Sequence, residues 1–211
     1  YYYGGISINK LLSQVTFRDV VRNDTIFQQK RRMECRGDYE KELLRRVHHV
    51  IGRTSWDRSC VWSVNAGLNY HFCNETLRGS FYTGTWRLDN CKRHSIFLSQ
   101  GHYPIKGLHK VIEALPSILR LYPDAKVYVA GNDVVSSTYI KRNCYSNYLL
   151  HLLRRLKLEN NISFLGPLSE EKMKEQYLKS HVFVCPSAIE NSPNSVGDAQ
   201  LLGVPVVASY T

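Results

Sequence analysis

Residues 181–208 read HVFVCPSAIENSPNSVGDAQLLGVPVVA, and their pattern says more about the fold than any other part of the chain. The apolar run Val182–Cys185 predicts a buried strand, which a polar loop follows. A short helix is predicted to begin at Asn194 and to end at Gly203, because glycine is favoured just past a helix C-terminus. Pro205–Ala208 begins the next strand. Strand, helix and strand in this order predict a parallel β–α–β unit.

The same alternation extends back to Ser95. Strands are predicted at 95–99, 126–130, 161–165 and 181–185, and helices at 108–121, at 145–156 and from Ser169 onward. Apolar strands that alternate with helices predict a Rossmann-like α/β fold, in which a parallel sheet carries helices on both faces. Ligands of such sheets bind beyond the carboxyl ends of the strands. The sequence places five residues at such ends: Lys106, Gly131, Gly166, Glu190 and Asn194.

Two acids bracket the helix that begins at Asn194. Glu190 lies in the loop before the helix, and Asp198 lies within it. A helix N-terminus has unpaired N–H groups and a partial positive charge, so it suits phosphate. Ionised carboxylates accept hydrogen bonds from several hydroxyl groups at once. Phosphate flanked by hydroxyl groups describes a sugar nucleotide; an ordinary loop acid followed by an ordinary helix acid is the alternative interpretation.

This segment resembles the donor site of family 4 glycosyltransferases, which are retaining enzymes of the two-domain GT-B fold with an E-x7-E signature. Asp198 stands in place of the second glutamate, so the charge is kept with a shorter reach. The resemblance implies that Glu190 is the catalytic acid that contacts the donor sugar and that Asp198 contacts the ribose. Backbone N–H groups of Asn194 and Ser195 would hold the diphosphate. No metal or other cofactor is implied, because cations and helix dipoles neutralise the leaving diphosphate.

Other strand ends carry further signals. Lys106-Gly107 resembles the loop of the family whose lysine reaches the donor phosphate, although a surface lysine at a helix start is the alternative. The arginine that the family has five or six residues earlier is missing here, since Gly101 and Gln100 occupy those positions. Either one cation does more, or another basic residue substitutes. Gly131 falls at a turn that approaches the nucleotide in the family.

Residues 1–94 are less regular. Helices are predicted at 38–49 and 56–64, strands at 50–52 and 69–73, and a linker at 86–93. The resemblance makes residues 1–94 the C-terminal part of the N-terminal, acceptor-side domain with the linker, and residues 95–211 a truncated donor-binding domain. We therefore expect a piece of a longer protein, and its activity in isolation stays open. His71 is interpreted as structural, whereas Arg53 faces either the interdomain cleft or the surface.

The charge is uneven along the chain. Of the net charge of +10, residues 1–94 contribute 16 Lys/Arg against 9 Asp/Glu, or +7, and residues 95–211 contribute 12 against 9, or +3. An anionic membrane surface, a nucleic acid or plain solubility would each explain the excess. No nucleic-acid-binding motif is present, so we predict no nucleic-acid partner.

The composition restricts the class of protein. No apolar run approaches the roughly 20 residues that a membrane-spanning helix needs. The six cysteines contain no C-x-x-C pair, which favours reduced thiols over disulfides or zinc. We therefore expect a cytoplasmic protein, and peripheral contact with the inner face of the membrane stays open.

The predicted function is transfer of a hexose from a nucleotide-diphosphate sugar to a glycan or lipid-linked acceptor, with retention, in polysaccharide or glycoconjugate synthesis. The alternative is another GT-B sugar-nucleotide enzyme without a separate acceptor, such as an epimerase. A basic nucleic-acid-binding module is a more distant alternative.

Overall fold

A five-stranded sheet, called the main sheet below, dominates the fold. The computed structural model describes residues 3–135, 138 and 142–210. All neighbouring strands of the main sheet are parallel. The strands are β3 (Lys92–Leu98), β4 (Lys126–Ala130), β5 (Ile162–Gly166), β6 (Ser180–Cys185) and β7 (Val206–Ala208), in the order β5-β4-β3-β6-β7. The predicted parallel sheet is confirmed.

Helices connect these strands where the apolar pattern predicts them. They are α5 (Leu108–Leu121), α6 (Cys144–Leu156), α7 (Glu170–Lys179) and α8 (Asn194–Leu202). The Ser169 hydroxyl caps α7 by accepting the N–H of Lys172 at 3.4 Å. Gly203 ends α8 in the left-handed conformation, with φ of 75°. Both helix boundaries therefore have the chemical cause that the sequence indicates.

Helices cover both faces of the main sheet. Successive side chains of a strand point to opposite faces, so Ile96 and Leu98 of β3 join one core with α5 and α6. Phe97, between them, joins a second core with Tyr177 of α7 and Leu202 of α8. The near-continuous apolar character of the strands thus reflects burial on two sides.

The residues before the main sheet form helices and two strands, and these strands, β1 and β2, make a separate parallel two-stranded sheet. The elements are α1 (Ile8–Leu12), α2 (Phe17–Val21), α3 (Ile26–Arg46), β1 (His49–Gly52), α4 (Ser55–Val64) and β2 (Asn69–Phe72). The helix predicted at 38–49 is wrong in its bounds, because α3 begins at Ile26 and ends at Arg46. Its first turns are mostly polar and exposed, so they carry no apolar stripe that periodicity could reveal.

Segments before the predicted boundary pack into the cores of the main sheet. Ile6 and Leu11 join the core beneath α5 and α6, and Phe81 lies fully buried beside α7 and α8. The indole N–H of Trp86 donates to the carbonyl of Ser180 at 2.8 Å. The division of the chain at residue 94 stays a prediction, and its outermost residues 1, 2 and 211 lie outside the described ones.

The strand order reverses beside β3. From β3 the chain crosses over α5 to β4 on one side, whereas β6 pairs with β3 on the other side and leads through α8 to β7. The loops that follow β3 and β6 therefore run to opposite faces and leave a crevice at the carboxyl ends of these two strands.

Candidate functional site

A cleft of about 550 Å³ opens beyond the carboxyl ends of β3 and β6. Ser99 and Gln100 line it from the end of β3, and Pro186 and Ser187 line it from the end of β6. The cleft therefore lies where the reversal of strand order predicts a ligand site. Four of the residues that the sequence predicts to act on the donor are on its lining: Lys106, Glu190, Asn194 and Ser195.

Lys106 and Glu190 form an ion pair in this cleft. The lysine Nζ lies 2.5 Å from Glu190 Oε1, and the two side chains are 28% and 19% exposed. The two loops also touch through their backbones, because the N–H of Ala188 donates to the carbonyl of Ile105 at 2.8 Å. The cleft thus holds a cation and a carboxylate in a charge-assisted hydrogen bond.

Gly107 allows the loop of Lys106 to approach the loop after β6. Its φ of 73° is left-handed, and a Cβ atom on it would lie 1.9 Å from the carbonyl oxygen of Pro186. Only glycine fits such a position. Gly107 therefore holds the two loops together, while its direct contact with a donor stays a prediction.

The N-terminus of α8 opens onto the cleft at Asn194 and Ser195. Its N-cap residue, Pro193, makes no side-chain capping bond, and the first turn contains no acid. The carbonyl of Ser195 accepts the hydroxyl of Tyr177 at 2.9 Å, which ties the start of the helix to the core. Because the first N–H groups of a helix lack intrahelical partners, this end presents a partial positive charge to the cleft.

The second acid, Asp198, is fully buried and is not part of the cleft lining. It forms an ion pair with Arg78, which does line the cleft. Burial raises the pKa of Asp198, and the hydrogen bond from Arg78 opposes that rise. The second oxygen, Oδ1, has no hydrogen-bond partner among the described residues. Sequence reasoning missed Arg78, because nothing in the spacing of residues 78 and 198 connects them.

Thr54, before α4, and Asp57, in its first turn, both form hydrogen bonds with Asn191, the residue that follows Glu190. The Thr54 hydroxyl donates to Asn191 Oδ1 at 2.6 Å, and the amide of Asn191 donates to Asp57 Oδ2 at 2.9 Å. Desolvation acts to raise the pKa of Asp57, but hydrogen bonds to the carboxylate, first among them that from the Tyr70 hydroxyl, lower it well below its usual range. Asp57 therefore acts as an ionised acceptor that holds the loop of Glu190 and Asn191 in place.

Arg53 reaches the start of α8 from the loop between β1 and α4. Its Nη1 donates to Asn194 Oδ1 at 3.1 Å and also pairs with Glu75. Arg53 and Glu75 both line the cleft. Of the two locations that the sequence left open for Arg53, the structure thus has the one in the cleft.

Gly131 and His71 lie outside the cleft lining. Gly131, with φ of 91°, donates its N–H to the carbonyl of Gly166 at 2.9 Å and joins the ends of β4 and β5. Its contact with a nucleotide stays a prediction. His71 is exposed on β2, with its Nε2 2.9 Å from Nδ1 of His49.

Two further properties concern the described part of the chain alone. No three of its His, Cys, Asp or Glu side chains are grouped so that they could hold a metal ion. None of its helices combines the length and the apolar character that crossing a bilayer requires.

Known proteins share the sequence pattern of the main sheet. The profile of the family described as Glycosyl transferases group 1 matches residues 88–211. The GDP-mannose-dependent monoacylated alpha-(1-6)-phosphatidylinositol monomannoside mannosyltransferase of Corynebacterium glutamicum is 28% identical over 114 residues, which cover 50% of this chain and 26% of that protein. The chain spans about a quarter of the length of the curated relatives it matches.

Solved structures share the fold at low sequence identity. WaaG, a glycosyltransferase involved in lipopolysaccharide biosynthesis, aligns with a TM-score of 0.65 at 14% identity over 92% of this chain and 54% of WaaG. A variant of TarM from S. aureus, crystallised with UDP, aligns with a TM-score of 0.63 at 16% identity over 82% of this chain and 32% of TarM. The main sheet and its helices are therefore of the GT-B type. Since the family profile matches more than half of its length, the chain belongs to the group 1 glycosyl transferases.

Proposed function

We propose that the protein transfers a hexose from a nucleoside diphosphate sugar to a glycan or lipid-linked acceptor, with retention of the anomeric configuration. The observation that carries the proposal is the ion pair of Lys106 and Glu190 beside the N-terminus of α8. It brings a cation, a carboxylate and a helix dipole together in one cleft. These three groups match a phosphate that lies next to sugar hydroxyl groups.

The ion pair suggests how the donor binds. The diphosphate replaces Glu190 as the partner of Lys106 and also accepts the N–H groups of Asn194 and Ser195. Hydroxyl groups of the sugar then replace Lys106 as donors to Glu190. Lys106 keeps an anionic partner and Glu190 keeps hydrogen-bond donors, so the donor exchanges one set of polar contacts for another and leaves neither charged group without a partner.

The proposed reaction breaks the bond between the anomeric carbon and the diphosphate oxygen. The acceptor hydroxyl oxygen bonds to that carbon from the same face, and its proton passes to the departing diphosphate oxygen. Negative charge grows on the diphosphate as the bond breaks, so Lys106 and the dipole of α8 stabilise the transition state more than the ground state. Glu190 orients the sugar during this step, and no side chain forms a covalent intermediate.

The acceptor class is proposed from the charge of residues 1–94, where 16 Lys/Arg against 9 Asp/Glu leave +7. Such an excess suits an acceptor with a phosphate group at an anionic membrane surface. The corynebacterial relative acts, by its name, on a phosphatidylinositol monomannoside. A lipid-linked acceptor reached from the cytoplasmic side of a membrane is therefore part of the proposal.

Donor binding tests the first half of this proposal. Thermal unfolding of the chain is measured with UDP-glucose, GDP-mannose and ADP-glucose, for the unaltered protein, Glu190→Gln and the control Glu175→Gln. Glu175 is a matched control because it is an exposed acid paired with Lys179 on α7. A ligand at about 100 times its Kd should add about 2.7 kcal/mol of stability. We expect this gain with one nucleotide sugar, a smaller gain in Glu190→Gln and the full gain in the control.

Transfer tests the second half. Turnover on a lipid-linked or glycan acceptor is followed in the complete protein by mass spectrometry of the product. Loss of the Glu190 carboxylate should remove about 2–4 kcal/mol of transition-state stabilisation. Equal turnover in Glu190→Gln and in the unaltered protein would overturn the assignment of Glu190. An isomerised sugar nucleotide without a glycosylated product would instead indicate an epimerase.

A further inference from the structure

Arg78 and Asp198 differ from the other ion pairs at the cleft. Arg78 lines the cleft with a side chain that is 38% exposed, whereas Asp198 is fully buried and absent from the lining. The cation of this pair therefore meets the cleft and the acid does not. In the two other pairs, Lys106–Glu190 and Arg53–Glu75, both partners are on the lining.

The guanidinium of Arg78 is held from two sides. Its Nη2 donates to Asp198 Oδ2, and its central carbon lies 4.5 Å from the centre of the Phe81 ring. Phe81 is itself fully buried, so the ring is a fixed support. A guanidinium has five N–H donors in one plane, and the contact through Nη2 engages one end of that fork. The planar group is thus oriented before any ligand arrives.

The location of Asp198 argues against direct contact between its carboxylate and a ligand in the cleft. Its exposed fraction is 0%, and Arg78 engages one of its two oxygens. The other oxygen is buried without a partner among the described residues. The ribose contact that the sequence predicts for Asp198 would require this acid to come out of the core.

A bound diphosphate would carry more negative charge than Lys106 and the N-terminus of α8 together neutralise. A diphosphate bound in the cleft carries at least two negative charges. Lys106 supplies one positive charge, the N-terminus of α8 supplies about half of one, and the charge of Arg53 is offset by Glu75 on the same lining. Arg78 has the bidentate geometry that suits phosphate oxygens. It is also the cleft cation whose partner acid lies outside the lining.

We propose that Arg78 binds the donor diphosphate together with Lys106, and that Asp198 is a positioning residue that holds the guanidinium in place. This inference rests on the proposed function, because the diphosphate is the ligand named there.

The first test separates binding of phosphate from binding of the nucleoside. Isothermal titration gives Kd for UDP, GDP and ADP, and competition gives Kd for uridine, guanosine and adenosine. The variants are then measured with the nucleoside diphosphate that binds the unaltered chain and with the corresponding nucleoside. Arg78→Gln should raise Kd for the diphosphate by roughly tenfold or more, since hydrogen bonds to charged groups are lost. Kd for the nucleoside should change by less than about threefold, and Arg78→Lys should restore part of the diphosphate affinity.

Arg46→Gln is the matched control. It removes an arginine from an exposed ion pair with Glu42 on α3, and it should leave the Kd of both ligands unchanged. Arg78→Gln leaves the buried carboxylate of Asp198 unpaired, which destabilises the fold. The double variant Arg78→Gln/Asp198→Asn removes both charges and serves if the single variant does not fold. It should show the same selective loss of diphosphate affinity.

The second test separates positioning from direct contact with the ribose. The Kd of the nucleoside diphosphate and of its 2′-deoxy analogue are compared in the unaltered chain and in Asp198→Asn. If Asp198 acts through Arg78, both affinities fall by the same factor and their ratio is unchanged. If Asp198 contacts the ribose, the ratio of the two Kd values moves towards one.

The outcomes distinguish this inference from the proposed function. An unchanged diphosphate Kd in Arg78→Gln, or a changed ratio in Asp198→Asn, overturns the roles of Arg78 and Asp198. A loss of sugar-nucleotide binding in Glu190→Gln would then still support the donor site. Failure of all three nucleoside diphosphates to bind the unaltered chain would overturn both proposals.

Discussion

The main sheet and the two-stranded sheet are both parallel, yet they bury their strands to very different degrees. In β3 all four residues of Ser95–Leu98 are buried. In β1 and β2 no residue is fully buried, and Ile51 and Phe72 are 73% and 63% exposed. Parallel sheets are normally covered on both faces. The small sheet therefore has apolar surface that the described residues leave open.

This difference shows what each region gives to the cleft. The main sheet fixes backbone: the ends of its strands hold the loops of Lys106 and Glu190 and the start of α8. Residues 3–91, which precede the main sheet and are called the first region below, instead supply side chains through long-range contacts, such as Asp57 with Asn191. Substitutions in the main cores should therefore cost stability first, whereas polar substitutions in the first region should act mainly on the cleft.

The largest expected effect is the difference in stability between alanine variants of a buried phenylalanine, Phe81, and an exposed one, Phe72. Both belong to the first region in sequence, but Phe81 is 0% exposed and meets Tyr177 edge-on at 5.8 Å between ring centroids. Phe81→Ala should lower the free energy of unfolding by about 3–5 kcal/mol. Phe72→Ala, at an exposed position of β2, should change it by no more than about 0.5 kcal/mol. Urea unfolding followed by circular dichroism measures both, and equal losses would contradict the comparison.

Gly107 and Gly166 test the close contact between loops at the cleft. Their φ values, 73° and 72°, are almost the same. A Cβ on Gly107 would collide with the carbonyl oxygen of Pro186, whereas a Cβ on Gly166 would meet nothing within 4 Å. Both alanine variants should lose about 1–2 kcal/mol to left-handed strain, and Gly107→Ala should lose about 1–3 kcal/mol more from the clash. Denaturant melts give the difference; equal melts would mean that the two loops are not in contact.

The regions also differ in how far the sequence predicts them. The apolar stripe of α5 predicts this helix because the stripe faces a buried core, and Pro123-Asp124 predicts where it closes; the predicted bounds 108–121 are the observed ones. Helix α3 begins at Ile26, twelve residues before the predicted start at Asp38, because an exposed polar helix has no such stripe. Periodicity reports burial, so it fails where little is buried.

The cleft shows the same limit. Lys106, Glu190 and Asn194 could be predicted because each follows the end of a strand, and parallel strand ends meet at one edge of the sheet. Arg78 could not be linked to Asp198, nor Asp57 to Asn191, since these contacts span 120 and 134 residues. Such pairs depend on how the first region docks, and no local spacing encodes that.

The smallest expected effect is the pH dependence of two acids, one from each region. Hydrogen bonds lower the pKa of Asp57 below its ordinary value of 3.8 in the folded protein. Its stabilising contribution is therefore complete above about pH 4 and is lost as the pH falls below that value. Burial raises the pKa of Asp198, so protonation favours the folded state, and this acid adds stability as the pH falls through its raised pKa.

The two asparagine variants should therefore respond to pH with opposite signs. The free energy of unfolding is measured by urea at about pH 7, 5 and 3 for the unaltered chain, Asp57→Asn and Asp198→Asn. The advantage of the unaltered chain over Asp57→Asn should shrink towards pH 3, while its difference from Asp198→Asn should shift in favour of the unaltered chain. Parallel pH profiles for the two variants would mean that the two carboxyl groups have similar surroundings. Opposite slopes would show that hydrogen bonds stabilise the ionised form of Asp57, whereas burial destabilises the ionised form of Asp198.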